Sequence, residues 1–453
     1  MDNMFDKGFR LVKEIKALEK DSTAYIVGGA VRDFVLGREC DDIDIVTSVD
    51  IDIIEKHYPT HDIGSNKDFG ILVVEFEGEV FEIANYREDG EYSDGRRPDD
   101  VKIVADFETD SKRRDFTINA MAMDEDKNII DYHNGQEDLK NGIIRTVGEA
   151  KDRFEEDFLR MFRAIRFATV LNFKLDNDVR VEIAYMNGRI MDVSTERLWK
   201  EFWKMANSDN FAFGIHLMDE LGILEKLLPE ITDFKNYDHY KQHHPEGCVW
   251  KHVMGVIAQL DDKPAVVKLG GLFHDIGKPA AYEWFPNKGE NGKYHYIKHD
   301  IIGLDVFDKV VDRFHIPKDI ANEIRYCIKG HMRMHLFLNM RDSKCIKLID
   351  SPYWKSLYDV AHADDRARLY CYDWYFWKDV DEKVERLQVI LDNQKSVNSI
   401  VDGVFVMDIL GVKGGRIVGE TLKKARAYII DKKVDVTTED GYNRIKKYVS
   451  TFK

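Results

Sequence analysis

The segment Tyr25–Asp44 limits the folds open to this chain more than any other part of its 453 residues. An apolar run ends at the pair Gly28-Gly29, a helix-forming stretch follows, and Asp42 and Asp44 come next with one residue between them. This order predicts a strand, a glycine turn, a helix and a second strand. Side chains two apart on a strand point to the same face, so we expect the two carboxylates to lie side by side.

The pattern of apolar and polar residues predicts a small mixed α/β region near the N-terminus, preceded by an amphipathic helix over residues 4–18. The stripe of that helix is formed by Leu11, Ile15 and Leu18. From about Gly148 the pattern becomes helical, and the next strand is expected at Val434–Thr437. The elements expected in the first region are strands near Tyr25–Val27, Ile43–Val46, Gly70–Phe76 and Val80–Tyr86, and a helix near Ala30–Leu36.

The predicted fold class is therefore α+β, with a small sheet domain at the N-terminus and a long all-α remainder. We expect a head that contains the sheet at residues 1–147 and a helical neck at residues 148–232. A helical body at residues 233–370 and a helical tail at residues 371–453 follow.

The composition is that of a globular protein, and its acidic balance argues against broad binding of nucleic acid, so any such contact must come from a local basic surface. Apolar residues make up 44% of the chain, and the net charge of −16 has the wrong sign for a protein that coats nucleic acid. No apolar run approaches the ~18 residues that a membrane span needs, and the N-terminus carries no apolar secretory segment. Dispersed cysteines without a Cys-X-X-Cys pair argue against disulfides and structural zinc, which favours a cytoplasmic protein. They are Cys40, Cys248, Cys327, Cys345 and Cys371.

Asp42 and Asp44 are suited to hold two divalent cations, as in-line phosphoryl transfer requires. Mg²⁺ prefers a few carboxylates together with phosphate oxygens. Gly28 and Gly29 lack Cβ atoms, so their backbone N–H groups can approach a triphosphate at the start of the helix. Glu82 is a candidate third carboxylate from a neighbouring strand. An Asp-X-Asp pair or a Gly-Gly pair alone is common by chance, but their order and spacing together favour a functional site.

The run Val27–Asp33, with Asp42 and Asp44, resembles the head of the polymerase-β-like nucleotidyltransferases, specifically the bacterial class II tRNA nucleotidyltransferase and poly(A) polymerase group. Arg113–Ala120 is similar to the second motif of that family. The resemblance covers about residues 21–210 with the motifs in order, and it continues more weakly to the C-terminus. It implies template-independent addition of C, C and A to tRNA 3′ ends from CTP and ATP with Mg²⁺. The nucleotide contacts that it implies are Gly28, Gly29, Arg32, Arg114 and Asp115.

A Glu-Asp-X-X-Arg motif, formed by Glu156, Asp157 and Arg160, matches the amino-acid template of the family and is predicted to lie on one helix. Asp157 and Arg160 would share a face, and Glu156 can pair with the guanidinium group. A carboxylate that accepts from an amino group, beside an arginine that donates to a ring nitrogen, fits both cytosine and adenine. Uracil and guanine present the opposite order, and each unpaired group costs about 1–3 kcal/mol. Such a motif is more often a surface ion pair, but its position directly after the head favours base selection. Arg163 and Arg166 continue the basic face of the predicted helix.

Two further segments resemble parts of the same family. Tyr86–Pro98 is similar to the flexible loop that CCA-adding enzymes keep and CC-adding enzymes shorten, which favours addition of A as well as C. An ordinary surface loop explains this segment equally well. Glu196–Glu201 is similar to the last neck motif, whose role is mainly structural, and we assign it no chemistry.

A second set of residues follows the order of the HD-domain phosphohydrolases, and Gly271–Pro279 is similar to their second motif. Imidazole and carboxylate ligands suit a divalent transition metal or Mg²⁺. Such a site can activate water to hydrolyse phosphomonoesters or 2′,3′-cyclic phosphates. HD domains attached to nucleotidyltransferases can also be catalytically idle. The ligands that the resemblance implies are His252, His274, Asp275 and Asp364, with His299 and His331 as additional ligands of a binuclear site.

The tail is predicted to contact tRNA. Leu410–Gly419 resembles a glycine-rich helix start of the family, where Lys413 and Arg416 can meet phosphates. The basic residues that follow more commonly form a solvent-exposed face than a binding surface. The aromatic residues that precede this segment are expected in the core. The basic residues are Lys423, Lys424, Arg426, Lys432, Lys433, Lys446 and Lys447, and the aromatic residues are Tyr370, Tyr372, Trp374, Tyr375, Phe376 and Trp377.

The sequence thus predicts a CCA-adding nucleotidyltransferase without a membrane partner, and two kinds of alternative stay open. A CC-adding, A-adding or poly(A) polymerase relative shares the head motifs, but the intact template motif and full-length loop favour CCA addition. An HD phosphohydrolase that acts on RNA ends would tolerate loss of Asp42 or Asp44, and both are present.

Overall fold

The computed structural model describes residues 3–40, 42–61, 70–90, 92, 100–238, 247–285, 293–368 and 372–452. The chain packs into two compact units, Met1–Thr232 and Asp233–Lys453.

Short strands and helices alternate in the first part of the chain. The strands are β1 (Ala24–Val27), β2 (Asp44–Thr47), β3 (Thr60–His61), β4 (Ile71–Phe76), β5 (Glu79–Asn85), β6 (Arg87–Asp89), β7 (Val101–Ile103), β8 (Ala122–Met123) and β9 (Ile129–Ile130). The helices are α1 (Met4–Lys16), α2 (Gly29–Val35), α3 (Ile51–His57), α4 (Phe107–Ser111) and α5 (Gly135–Asn141). The described strands form a seven-stranded sheet in the order β3-β4-β5-β2-β1-β8-β9, and β6 pairs with β7 separately.

Strand pairing decides where the carboxylates of the head lie. β1 pairs antiparallel with β2, which places Val27 opposite Asp44. β2 pairs parallel with β5, which places Asp44 opposite Glu82. Ile45 and Val46 of β2 are buried, whereas Asp44 at the start of the strand is exposed. The apolar part of β2 therefore packs in the core and leaves the carboxylate of Asp44 beside that of Glu82 on β5.

The N-terminal helix covers this sheet. α1 begins with a capping box, in which the side chain of Asn3 accepts from the backbone of Asp6 and the side chain of Asp6 accepts from the backbone of Asn3. Leu11 and Ile15 are fully buried, as their stripe predicts. Leu18 lies after the end of α1 at Lys16 and is half-buried, so the helix is two residues shorter than predicted.

Helices dominate the rest of the first unit. They are α6 (Ala150–Glu156), α7 (Leu159–Leu171), α8 (Asn177–Met186), α9 (Thr195–Ala206), α10 (Phe211–Glu220), α11 (Ile223–Leu227) and α12 (Pro229–Thr232). α7 packs against α9 and α10 through buried side chains such as Phe162, Ile165 and Phe202. Burial of each of these side chains stabilises the fold by about 1.5–3 kcal/mol.

The second unit is a helical body followed by a helical tail. Its helices are α13 (Val249–Ala258), α14 (Ala265–Phe273), α15 (His299–Phe314), α16 (Lys318–Met334), α17 (Asp342–Ile349), α18 (Trp354–Ala367), α19 (Trp374–Ile400), α20 (Gly403–Leu410), α21 (Arg416–Asp431) and α22 (Glu439–Ser450). α16 and α18 pack so closely that a Cβ at Gly330 would lie 2.7 Å from the side chain of Leu357. A separate core of α20, α21 and α22 contains Val406, Ile429 and Ile445.

The predicted fold class is confirmed as a mixed-sheet head followed by a mostly helical remainder, but the remainder is not entirely helical. A short parallel pair joins β10 (Ile143–Ile144) to β11 (Lys174–Leu175), and a hairpin joins β12 (Tyr282–Phe285) to β13 (Lys293–Tyr296). The strand predicted at Val434–Thr437 is wrong. Asp435 accepts hydrogen bonds from the backbone and the hydroxyl of Thr437, and this turn leads into α22. Within the described part of the chain, no helix is long and apolar enough to cross a membrane.

Candidate active site and candidate metal centre

A pocket of about 660 Å³ opens beside the turn after β1. Its walls come from the Gly28-Gly29 turn, the start of β2, the segment Arg113–Asn119 and the first half of α7. Because cationic side chains outnumber anionic ones on these walls, the pocket suits a polyanion although the chain as a whole is acidic. The cations are Arg32, Arg113, Arg114, Arg160, Arg163, Arg166, Arg197 and Lys204, and the anions are Asp33, Glu39, Asp42, Asp44, Asp115 and Asp157.

The structure brings together the three predicted carboxylates of the head. Although Asp44 as a whole residue reaches solvent, the surrounding protein partly desolvates its carboxyl group and raises its pKa to about 6, and the charges of Asp42 and Glu82 add to this rise. Burial also raises the pKa of Glu82, and the charge of Asp42 acts in the same direction. Carboxylates that repel one another in this way are a donor set that a hard divalent cation relieves. The side chains of Asp42, Asp44 and Glu82 therefore fit the predicted Mg²⁺ site.

The glycine turn lets two arginines approach the backbone. Gly28 has a φ of +71°, a conformation that favours glycine. A Cβ at Gly28 would lie 3.6 Å from Nη1 of Arg114, and a Cβ at Gly29 would lie 3.4 Å from Nη2 of Arg32. Arg32 also donates to Asp33 Oδ2 and Asn119 Oδ1, each at 2.7 Å. The turn thus places two guanidinium groups on one side of the pocket. The predicted phosphate contact of the Gly28 N–H is wrong, because this group donates to the backbone oxygen of Met121 at 3.3 Å.

A buried carboxylate fixes the two arginines of the second motif. Asp110 is fully buried, and its two oxygens accept from Arg113 at 2.8 Å and from Arg114 at 2.9 Å. Asp110 was not among the residues predicted from the sequence. A signal was present, because an aspartate three and four residues before two arginines can pair with both of them.

Asp115, predicted to contact the nucleotide, faces Arg163 in the pocket. Arg163 Nε donates to Asp115 Oδ2 at 2.9 Å, and Asn119 Nδ2 donates to Asp115 Oδ1 at 3.2 Å. Burial alone would raise the pKa of Asp115, but Arg163 lowers this pKa to about 2. Asp115 is therefore ionised at neutral pH and holds the guanidinium group of Arg163 in place.

The template motif does not lie on one helix, so this prediction is wrong. α6 ends at Glu156, Asp157 is extended with a φ of −149°, and α7 begins at Leu159. The helix breaks because Asp157 Oδ1 accepts from the backbone N–H of Leu159 at 3.0 Å, a local bond that competes with helical pairing. Asp157 and Arg160 nevertheless both line the pocket, and the expected ion pair between Glu156 and Arg160 is present.

Arg197 is a pocket residue that the sequence analysis left without chemistry. Its Nη2 donates to Asp157 Oδ2 at 2.6 Å, so both oxygens of that carboxylate have a protein donor. Arg160 is held in a similar way, because its Nη2 donates to the backbone oxygen of Arg113 at 3.1 Å. The side chains proposed to read the base are thus held by neighbours from other segments.

Residues 91 and 93–98 of the predicted flexible loop lie outside the described residues. At its base, Arg87–Asp89 forms β6, and the hydroxyl of Tyr92 donates to Asp89 Oδ2 at 2.7 Å.

In the second unit, the predicted HD residues converge from different helices. His252 lies on α13, His274 and Asp275 follow α14, His299 begins α15, His331 lies on α16 and Asp364 lies on α18. Two groups have the spacing of a metal-ligand set, and both contain Asp275: one with His252 and His274, the other with His299 and His331. Asp275 Oδ2 lies 3.1 Å from His274 Nε2, and Asp275 Oδ1 lies 3.2 Å from His299 Nε2. His252 Nε2 lies 2.9 Å from Asp364 Oδ1. A carboxylate shared between two groups suits a pair of metal ions.

The backbone orients three of these rings for metal binding. Nδ1 of His274, His299 and His331 lies 2.7, 2.8 and 2.7 Å from a backbone carbonyl oxygen. A ring that donates from Nδ1 keeps the lone pair of Nε2 for a metal. Burial, with help from His274 and His299, lowers the pKa of His331 to about 3, so this ring is neutral. Burial opposes ionisation of Asp275, but His274 and Lys278 hold the pKa of this carboxyl well below its usual range. Neutral imidazole and ionised carboxylate are the forms that bind divalent metals.

Comparison with known proteins identifies the parts of the chain. Residues 24–145 match the family model described as the poly A polymerase head domain. Residues 172–235 match a probable RNA and SrmB-binding site of polymerase A, and residues 249–369 match an HD domain. The first of these matches assigns residues 24–145, and not the whole chain, to the poly A polymerase head family.

Curated relatives are similar to this chain over part of their length. The CCA-adding enzyme of Bacillus licheniformis is 40% identical over 228 residues, which are 50% of this chain and 56% of the relative. The CCA-adding enzyme of Geobacillus thermodenitrificans is 44% identical over 211 residues, which are 46% of this chain and 52% of the relative. The chain therefore spans about half the length of these relatives.

A solved structure of the family extends the similarity of fold to the whole chain. The Bacillus stearothermophilus CCA-adding enzyme in complex with CTP has a TM-score of 0.72 and 25% identity, covering 100% of this chain and 98% of the other. The Thermotoga maritima CCA-adding enzyme complexed with tRNA has a TM-score of 0.60 and 20% identity, covering 100% of this chain and 96% of the other.

The tail departs from the sequence analysis at its aromatic residues. Trp377 is buried, and Tyr372 and Phe376 are half-buried, but Trp374 and Tyr375 are 57% and 76% exposed. The core prediction is thus wrong for Trp374 and Tyr375, which occupy the outer face of the first turn of α19. Tyr370 lies outside the described residues.

The basic residues of the tail lie mostly on its surface. Arg416 begins α21 and has an exposed side chain, whereas Arg426 donates to the backbone oxygen of Val401 at 3.2 Å. The exposed lysines of this surface are Lys423, Lys424, Lys432, Lys433, Lys446 and Lys447.

Proposed function

We propose that this protein is a CCA-adding tRNA nucleotidyltransferase, which adds C, C and A to tRNA 3′ ends from CTP and ATP without a nucleic-acid template. The observation that carries the proposal is the position of Asp42 and Asp44 on the wall of an arginine-lined pocket, with Glu82 opposite Asp44 on the neighbouring strand. The family membership of residues 24–145 supports it, as do the CCA-adding relatives. The site of action expected for such an enzyme is the cytoplasm.

Asp42, Asp44 and Glu82 would hold Mg²⁺, which supplies charge neutralisation at the leaving pyrophosphate and activation of the RNA 3′-hydroxyl. Gly28 and Gly29 line the same pocket, and the backbone N–H of Gly29 at the start of α2 would bind a phosphate. Arg32 and Arg114 lie against this turn and add charge-assisted hydrogen bonds. Asp115 fixes Arg163 and would orient it towards the nucleotide.

Asp157 and Arg160 would select the base. The carboxylate of Asp157 would accept from the amino group of cytosine or adenine, and Arg160 would donate to the ring nitrogen. Both side chains are already hydrogen-bonded to protein groups, so their positions do not depend on the bound nucleotide alone. The lysine-rich surface of the tail would contact the tRNA backbone, which carries no base information.

A second proposal concerns the HD residues. We infer that the two ligand groups that share Asp275 would each hold a divalent metal ion, which would supply an activated water for the hydrolysis of phosphomonoesters or 2′,3′-cyclic phosphates. The specific observation is the sharing of Asp275 by two buried ligand groups. Imidazole ligands favour a transition metal, with Mg²⁺ as the alternative ion.

A single-turnover extension assay tests the main proposal. The purified protein receives a tRNA that lacks CCA, with Mg²⁺ and CTP alone, ATP alone, or both. We expect two additions with CTP and a third when ATP is also present. Two additions that stop in the presence of ATP would assign a CC-adding enzyme, and long A tracts on generic RNA would assign a poly(A) polymerase. No extension at all would overturn the proposal and leave the HD centre as the candidate activity.

A further inference from the structure

Phe167 lies at the centre of the arginine cluster in the head pocket. It belongs to α7, lines the pocket and is 4% exposed. The Cζ atom of Arg166 lies 3.6 Å from the centre of its ring, and the Cζ atoms of Arg32 and Arg163 lie at 5.2 and 5.4 Å. All three distances are within the range at which an aromatic ring attracts a cation. One ring thus connects cations from α2 and from two turns of α7.

The same three arginines are each held by a polar partner outside the ring. Arg166 Nε donates to Glu201 at 2.5 Å, Arg163 Nε donates to Asp115 at 2.9 Å, and Arg32 Nη1 donates to Asn119 at 2.7 Å. These partners fix one edge of each guanidinium group. Three positive charges gathered around one side chain repel one another, and this repulsion is stronger in a partly desolvated pocket than in water. The electron-rich ring of Phe167 offsets part of that repulsion.

The ring itself has a fixed position. Phe116 packs against Phe167 with ring centres 5.6 Å apart and an interplanar angle of 77°, an edge-to-face contact. Phe116 is fully buried and belongs to the segment that also supplies Asp115 and Asn119. The aromatic pair therefore ties α7 to the segment that holds two of the three arginines.

We propose that Phe167 is a positioning residue for polyphosphate, because its ring holds Arg32, Arg163 and Arg166 together as one preassembled phosphate-binding wall. This inference rests on the proposed function, since it assigns the triphosphate of CTP or ATP to that wall. It separates two tasks within the pocket. Phe167 positions the arginines that bind the phosphates, which are common to all nucleotides. Asp157 and Arg160 bind the base.

The test measures binding of tripolyphosphate, a probe without a base, by calorimetry in the presence of Mg²⁺. Phe167→Leu keeps an apolar side chain of similar size and removes the ring. A pentafluorinated phenylalanine at position 167 keeps the shape of the ring and reverses its charge distribution, so it tests the electrostatic role even if the leucine variant folds poorly. We expect each change to weaken tripolyphosphate binding by about tenfold, with Phe167→Tyr close to the unmodified protein. The KM values for CTP and ATP should rise by a similar factor, with the preference for CTP over UTP unchanged.

Phe162 provides a matched control. It lies on the same helix, is fully buried and has Phe202 as its ring neighbour at 6.4 Å. Phe162→Leu and the fluorinated ring at position 162 are expected to lower the melting temperature without weakening tripolyphosphate binding.

The outcomes separate this inference from the proposed function. If the unmodified protein binds tripolyphosphate and the fluorinated ring at position 167 binds it equally well, the inference on Phe167 is overturned and the proposed function stands. A loss of preference for CTP over UTP in Phe167→Leu would also overturn it, because the ring would then act on the base. If the unmodified protein binds neither tripolyphosphate nor CTP, the proposed function itself fails.

Discussion

The two groups of metal-ligand candidates in this chain have opposite electrostatics. In the head, burial and the neighbouring carboxylates raise the pKa of Asp44 to about 6, so the group resists carrying its full negative charge. In the body, burial also opposes ionisation, yet the pKa values of Asp275 and Asp364 stay well below their usual range. His274 and Lys278 lower the pKa of Asp275, and His252, followed by His335 and His274, lowers that of Asp364.

This difference indicates when each site takes its ion. The carboxylates of the head lie on an open pocket and repel one another, which suits ions that arrive with a polyphosphate whose oxygens complete the coordination. The HD ligands are buried, and the backbone already sets the tautomers of three rings, which suits ions that stay bound between turnovers. We therefore expect transient metal binding in the head and resident metal in the body.

The largest expected effect is loss of nucleotide addition when a carboxylate of the head is removed. Asp42→Ala or Asp44→Ala should lower the single-turnover rate by ~10³-fold or more, since metal assistance is worth several kcal/mol in the transition state. Metal content measured by mass spectrometry should stay unchanged, because the resident ions belong to the body. Asp126→Ala, an exposed aspartate of the head, is the control and should keep the normal rate. Retained addition in both active-site variants would break the assignment of the head.

Substitution of the HD ligands should have the opposite effect, with loss of the resident metal and normal nucleotide addition. Asp275 is shared by both ligand groups, so Asp275→Ala should reduce the metal content from two ions per chain to none. His299→Ala affects one group and should leave one ion. Extension of tRNA should proceed normally in both variants, whereas any phosphatase activity should be lost in Asp275→Ala. If His299→Ala loses all metal, or if Asp275→Ala keeps it, the two groups do not form a pair of sites that share a ligand.

The same contrast explains what the sequence can and cannot predict. The pairing of Asp44 with Glu82 follows from the register of β2 with β5, but Asp42 precedes β2, so its place near Asp44 does not follow from strand periodicity. The helix break at Asp157 was not predictable from spacing, since a Glu-Asp-X-X-Arg pattern reads as one helical face. A single bond from Leu159 to the carboxylate decides the local structure.

Partners that come from distant segments carried no local signal. Arg197 lies 40 residues after Asp157, and its contact depends on how α9 packs beside α7. His335 lies 3.8 Å from Asp364, and the sequence analysis missed it because it falls outside the order of the HD motifs. By contrast, buried Asp110 could have been found from its spacing to Arg113 and Arg114.

A smaller effect concerns selection of the base within the head. Asp157→Ala should lower the preference for CTP over UTP by ~5–150-fold, because an unpaired polar group costs about 1–3 kcal/mol. The ratio of kcat/KM values for the two nucleotides measures this change. Glu155→Ala, an exposed acidic residue on α6, is the matched control and should keep the normal ratio. Arg197→Met should lower the ratio less than Asp157→Ala, since Arg197 orients the carboxylate and does not meet the base. An unchanged ratio in Asp157→Ala would show that Asp157 does not select the base through its hydrogen-bonding edge.

The smallest expected effect tests the electrostatic contrast itself. The pKa of Asp44 is raised from its ordinary value of 3.8 to about 6, so ionisation costs more in the folded than in the unfolded protein. In a chelator, the wild-type protein should lose stability as the pH rises from about 4 to 6, whereas Asp44→Asn should not. The variant should therefore melt higher than the wild type above pH 6 and equally below pH 4, by roughly 2 °C or less because the side chain is open to solvent. Saturating Mg²⁺ should reverse the order at pH 7.5, because the ion stabilises the ionised carboxylates of the wild type. A pH-independent difference would show that Asp44 titrates as an isolated surface carboxylate and would remove the distinction between the head and the HD centre.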